Sequence, residues 1–239
     1  MKKLILLLFV LTTSQFNAQN FTLKEKLLFS KQAKINSGSR SYMGGKSRVI
    51  YYVPKQNDNV ESIIISYSTS NASSPINLNT AVEASKLIAS YYSGGVSSVA
   101  LSLIPQRIKN ELKIPVGVAP VDIYLMPNEN INLSKFRDKV PFNYYKIGST
   151  ENSKNGKIIV TDYLAKEGFC IGIINPSSYN AVNLSIEALG LYKEKVEFNE
   201  DEIVEKLKNL KKYLDMGIIS EDEYNSKATP LKQQLIDKL

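Results

Sequence analysis

The sequence predicts a mainly β protein: an antiparallel β-sandwich with a helical insert, followed by a C-terminal α-helical hairpin. Three observations carry that expectation. Short runs rich in β-branched and aromatic residues recur along the chain, with Gly, Asn, Pro and Ser between the later ones. One stretch, 79–112, abandons this pattern for helical spacing. The end of the chain steps its apolar residues by four and three, which places them on one helix face.

The N-terminus comes first. Lys2 and Lys3 precede an unbroken apolar run from Leu4 to Leu11, polar Thr12, Thr13 and Ser14 follow, and small Ala18 stands where a signal peptidase cuts. This order predicts a secretory signal peptide over 1–19 and an exported chain that is periplasmic, surface-associated or secreted. The apolar run is far short of the ~20 residues of a membrane-spanning helix, and no later run is long enough, so no transmembrane segment is expected.

Residues 20–196 are read as one domain. A polar lead-in over 21–47 gives way to strands at Arg48–Val53 and Ser62–Ser68, with a turn over Lys55–Asn59. Then comes the helical insert. Thr80-x-x-Glu83 has the form of a capping box, Val82, Ile88 and Tyr91 or Tyr92 follow at approximate helical spacing, and Gly94-Gly95 ends the run. A second helix is expected over 96–112, broken or kinked at Pro105. The insert is expected to cap an open end of the sandwich, with a lid or a docking surface as the alternative. Further strands are expected at Val121–Leu125, Tyr144–Ile147, Lys157–Val160, Phe169–Ile174 and Val182–Tyr192. Asn155-Gly156 and Asn175-Pro176-Ser177-Ser178 read as turns between them.

Residues 197–239 are read as a separate unit. Ile203, Leu207, Leu210 and Leu214 form the apolar face of a first helix, which Gly217 stops. Ile218 and Ile219 lie in a tight turn, and Ser220-x-x-Glu223 is a second capping box. Tyr224, Ala228, Leu231 and Leu235 continue the apolar face on a second helix. Pro230 is expected to break or kink that helix, with Thr229 capping a new segment.

Composition removes several chemistries. The chain has no histidine and a single cysteine, Cys170. Histidine-dependent nucleophile systems, His-ligated zinc and an intrachain disulfide are therefore impossible. Cys170 lies inside an apolar run and is expected to be a small buried hydrophobe. No phosphate-binding glycine loop occurs. Neither a cofactor nor a metal is expected. The body, 20–196, carries a net charge of +8 and the tail, 197–239, one of −3. The lysines are scattered rather than run together, so nucleic-acid binding is not expected.

The tail resembles the short C-terminal domain called SHOCT. The resemblance rests on Leu207-x-x-Leu210-Lys211, then Gly217-Ile218-Ile219-Ser220-x-x-Glu223-Tyr224-x-x-x-Lys227. Tyr224 stands where the family usually has Phe, and Pro230 departs from its continuous second helix. The resemblance covers a sixth of the chain and implies an appended module of self-association or interaction, with no chemistry of its own. The body resembles an uncharacterised domain of secreted Bacteroidetes proteins, through Arg48–Tyr51, Val121–Leu125 and Phe169–Ser177. Its order of parts is also similar to the GOLD type of β-sandwich, an adaptor domain.

The function expected is thus a non-enzymatic exported adaptor or interaction protein. Its hairpin residues Ile203, Leu207, Leu210, Leu214, Gly217, Ile218, Ile219, Tyr224, Leu231 and Leu235 would engage a second copy, a partner protein or the parent domain. Two alternatives stand beside it. One is a carbohydrate- or peptide-binding module using Tyr51, Tyr52, Tyr124, Tyr144 and Tyr145. The other is a carboxylate-based glycan hydrolase using Asp122, Asp162 and Glu187, although no spacing links those three and each fits a strand face or a turn.

Overall fold

Among the described residues eight strands form two four-stranded sheets, ordered β1-β8-β3-β6 and β2-β7-β4-β5. The strands are β1 (Phe21–Ile35), β2 (Arg48–Val53), β3 (Val60–Ser70), β4 (Val121–Met126), β5 (Tyr145–Ser153), β6 (Asn155–Thr161), β7 (Phe169–Ile174) and β8 (Val182–Lys195). The computed structural model describes residues 21–39, 46–70, 76–93, 103–195 and 199–236. The expected signal peptide, Gly94-Gly95 and residues 96–102 of the expected second helix lie outside them.

Alternation builds the sandwich. Along β3, Ile63, Ile65 and Tyr67 point into the core. They meet Ile186 and Ala188 of β8 and Ile158 and Val160 of β6. The second sheet contributes Val53, Val121, Ile123, Leu125, Phe169, Ile171 and Ile173 to the same core. The pairings β2–β7, β4–β7, β3–β6 and β3–β8 are antiparallel. This is the predicted mainly β sandwich.

The lead-in is corrected: residues 21–35 are a strand. As the edge of its sheet, β1 turns its exposed positions to water, and Lys24, Lys26, Lys31 and Lys34 occupy four of them. Lysines on an edge strand also hinder pairing with another chain. Adjacent Leu28 and Phe29 both pack against the sandwich core, so the inside–outside alternation slips between them and the period of two is lost.

Helices cover the outer faces. Helices α1 (Thr80–Ser93) and α2 (Ile104–Glu111) lie over the outer face of the sheet containing β1, which corrects the expected cap on an open end. Their Ala84, Ile88, Ile104 and Ile108 pack on outward-facing Ile64, Leu189 and Leu191. Pro105 does not break a helix. It stands in the first turn of α2, where its missing N–H is not needed. The Thr80–Glu83 capping box does not form either: the Thr80 hydroxyl is buried without a partner, and Glu83 pairs with Lys86 at 2.8 Å.

Helix α3 (Asn130–Arg137), absent from the sequence reading, covers the outer face of the other sheet. Phe136 and Leu133 pack there with Tyr124, Met126 and Cys170. Gly172 allows this approach, since a Cβ on it would stand 2.6 Å from Met126 Cε and 2.7 Å from Phe136 Cε2. A short α4 (Asp162–Glu167), also unforeseen, joins β6 to β7 and buries Ala165.

The turn assigned to Asn155-Gly156 is also corrected. The chain reverses just before it, with Asn152 at φ +53°, and Asn155-Gly156 opens β6. Gly156 is kept small by Tyr67, whose hydroxyl would lie 2.6 Å from a Cβ there. Asn175 does hold its turn. Its side chain donates to Ile35 O and Asn180 O and accepts from Ser177 N–H.

The chain divides into two compact units, with the boundary between Glu194 and Lys195. The second unit holds α5 (Glu200–Asp215) and α6 (Glu221–Ile236).

Candidate functional site

The hairpin's local structure follows its sequence closely. Asn199 caps α5, its side chain accepting from Glu202 N–H at 3.2 Å, and Glu200, Asp201 and Glu202 place negative charge at the helix's positive end. At the other end Gly217 N–H donates to Leu214 O and Ile218 N–H to Tyr213 O, both at 2.9 Å. This Schellman arrangement needs a left-handed residue, and Gly217 has φ +69°. Ser220 and Glu223 then form a reciprocal capping box: Ser220 N–H donates to Glu223 at 3.0 Å, and Glu223 N–H to the Ser220 hydroxyl at 3.2 Å.

Helix α6 runs unbroken through Pro230, which corrects the expected break. Thr229 does not cap a new segment, and its hydroxyl donates to Asn225 O at 2.7 Å. Proline removes one N–H donor, and the helix tolerates that loss at an exposed position.

The predicted apolar residues fall into two groups. Ile203 is buried, and Leu207, Leu210, Leu214, Ile219, Tyr224, Leu231 and Leu235 are half-buried. Gly217 and Ile218 are exposed at the turn, where Met216 (61%) and Ile218 (60%) present bare apolar surface. Lys211 and Lys232 lie over the Tyr224 ring, at 6.0 and 5.4 Å from its centroid. An open depression on α5 is bordered by Leu207, Lys208, Lys211, Lys212, Asp215 and Met216.

Two of the carboxylates considered for hydrolysis, Asp122 and Glu187, do not converge. Val121 and Ile123 point into the core, so Asp122 between them faces out from the second sheet; Ile186 and Ala188 likewise turn Glu187 outward from the first. The two carboxylates therefore occupy opposite outer faces, with the packed core between them. Asp162 opens α4, and its side chain lies outside the described residues.

Asp122 is nevertheless perturbed. Burial raises its pKa, the Asn152 N–H bonded to it at 2.8 Å opposes the rise, and the Glu151 charge adds to it. Glu151 in turn accepts from the Tyr124 hydroxyl at 2.8 Å. Burial and this carboxylate push the Tyr124 phenol well above its ordinary range.

The five tyrosines separate. Tyr51 packs inward on Phe29, with ring centroids 5.7 Å apart. Tyr52 is exposed, and the Tyr124 and Tyr144 rings meet edge-on with centroids 4.9 Å apart, Phe142 completing an aromatic cluster over α3's side of the sandwich. Tyr145 lies on edge strand β5.

Sequence reasoning missed the role of Glu187. Its Oε1 accepts from the Ser30 hydroxyl at 3.0 Å and its Oε2 from Thr80 N–H at 2.9 Å. A strand carboxylate thus caps α1 in place of the side chain within the helix. The available signal was a change along the outward positions of β8, from Asn183, Ser185 and Glu187 to Leu189 and Leu191. The helices cover the apolar end.

Among the described residues no group of three or more metal-ligating side chains occurs, and no helix is long and apolar enough to cross a membrane. No protein-family model and no curated protein matches the chain. A solved structure of Bacillus endospore appendages, described as a family of disulfide-linked pili, is similar over 76% of this chain and 96% of that one. The identity is 7% and the TM-score 0.27. A likeness that low carries no argument about either protein.

Proposed function

We propose that the protein is an exported, non-enzymatic adaptor whose SHOCT-like hairpin brings chains together, by self-association or by docking on a partner protein. One observation carries the reading. The hairpin is a compact unit with its internal turn fully capped, yet Met216 and Ile218 stay exposed at that turn and most of its apolar seam beyond Ile203 and Ala228 is only half-buried. Two helices alone bury too little apolar area to be stable, so such a seam calls for more cover.

Truncation after Lys195 tests this by light scattering. A fall in molar mass larger than the 44 residues removed supports self-association. An unchanged oligomeric state, with loss of a co-purifying partner, supports docking. Unfolding of the truncated chain sinks the reading, because the hairpin would then belong to the main core. Leu207→Asp with Leu210→Asp should abolish the contact and spare the β-sheet circular dichroism. Export is tested separately, by sequencing the N-terminus of the recovered protein. Gln19 or Asn20 is expected first, and an intact Met1 on exported protein contradicts it.

A second reading, a carbohydrate- or peptide-binding module, draws on exposed Tyr52 and on Tyr144 beside Tyr124. Tyr144→Ala would abolish retention on a glycan or peptide array, and retention by neither the parent nor the variant removes this reading.

A further inference from the structure

The outer face of α5 carries a charge pattern that reads the same in reverse with opposite sign. Asp201, Glu205, Lys208 and Lys212 are spaced by four, three and four, so they share one face. At 100° per residue that face lies opposite the Ile203–Leu214 seam. All four are exposed, and among the described residues none has an ion pair. Other charges of the same helix are paired within it, Lys206 to Glu202 at 2.6 Å and Lys211 to Asp215 at 3.1 Å.

Within this face of one chain only Glu205 and Lys208, at i and i+3, are favourably spaced. Asp201 and Glu205 are like charges at i and i+4, and so are Lys208 and Lys212. The helix dipole accounts for an acid in the first turn and a base in the last, but its influence ends there. Glu205 and Lys208 lie in the middle of the helix.

We infer that this face is an isologous docking surface for the α5 helix of a second copy of the chain, packed antiparallel. A two-fold axis passing between Lys206 and Leu207 sets Asp201 against Lys212 of the second copy and Glu205 against Lys208. The same axis repeats both pairs on its other side. Parallel packing would set like charges together. Isologous contact requires a patch that is its own complement, and this ladder meets that condition residue by residue. Lys208 and Lys212 also border the open depression on α5, at one edge of this face. Exposed ion pairs supply register and partner choice more than affinity. The inference rests on the hairpin being an association module, and it names the partner and the geometry.

The test uses the exported chain in sedimentation velocity at low salt. Lys208→Glu with Lys212→Glu should weaken self-association by about tenfold or more, and Asp201→Lys with Glu205→Lys should do the same. Mixing the two variants should restore a heterodimer close to the parent's strength, because each carries what the other lost. Helical circular dichroism confirms that both variants fold. The parent's association should weaken once salt shortens the screening length below ~8 Å. If the parent associates and both variants associate equally well, the antiparallel pairing is wrong and the association module stands. If both weaken but the mixture is not rescued, the pairing is again wrong. A parent that stays monomeric throughout overturns this inference, and the truncation experiment then judges the association module by itself.

Discussion

Glu187 on β8 and Thr80 at the start of α1 are joined by one hydrogen bond, from the Thr80 N–H to the Glu187 carboxylate at 2.9 Å, buried and 107 positions apart in sequence. The other carboxylate oxygen holds Ser30 of β1. One side chain thus ties an edge strand, an inner strand and a helix end together.

Replacing Glu187 by Ala should therefore cost about 2–3 kcal/mol, because it leaves the Thr80 N–H and the Ser30 hydroxyl without their acceptor. Thr80→Val should be neutral or slightly stabilising, since the Thr80 hydroxyl has no partner to lose. Urea denaturation ranks the two. The opposite ranking would mean that Thr80, not Glu187, closes the helix.

Gly217→Ala should destabilise the hairpin by about 1 kcal/mol. The loss comes from the backbone at φ +69° and not from a clash, for a Cβ there meets nothing within 4 Å. Gly217→Asn should recover part of it, because Asn tolerates the left-handed region. Thermal melting of the helical signal measures both. Equal melting of the Ala variant and the parent would show that the turn adopts another conformation.

Asp122 makes stability depend on pH. Its pKa is raised by burial, opposed by the Asn152 N–H and reinforced by Glu151. A folded carboxyl above its unfolded value favours the protonated fold. The stability it contributes is present below the ordinary carboxylate value of about 4 and lost as pH rises through the raised one. Asp122→Asn keeps an oxygen for the Asn152 N–H and removes the charge. At neutral pH it should be neutral or stabilising by up to about 0.5 kcal/mol, allowing for solvent screening. Urea midpoints should rise on mild acidification less for the variant than for the parent, and identical pH profiles refute the assignment.

Cys170 should label slowly in the native state. It is buried, its thiol lies 3.5 Å from Asn128 Oδ1, and burial pushes its pKa up, with Arg137 opposing. The reactive thiolate is disfavoured at neutral pH. Cys170→Ala should cost about 1–2 kcal/mol in packing. Labelling as fast as in urea would place the thiol at the surface.

Local patterns were sufficient for much of this protein. β2 and β7 have the limits the sequence predicts, because each is a short run of β-branched and aromatic residues. The Gly217 stop and the Ser220–Glu223 box form as read, since every partner lies within a few residues along the chain. Cys170 is buried as its apolar surroundings implied. What the sequence misjudged depends on distant neighbours. β1 looked like a polar lead-in because lysines fill its exposed positions and its alternation slips between Leu28 and Phe29. Thr80 and Glu83 have the spacing of a box, yet a carboxylate from β8 took the helix end. Asp122 and Glu187 look equivalent as lone acids between apolar residues, and only the stacking of the sheets puts the core between them. Caps and turns are closed by groups a few bonds apart and are written locally. Which face a strand residue meets, and which distant group fills a helix end, is decided when the sheets pack.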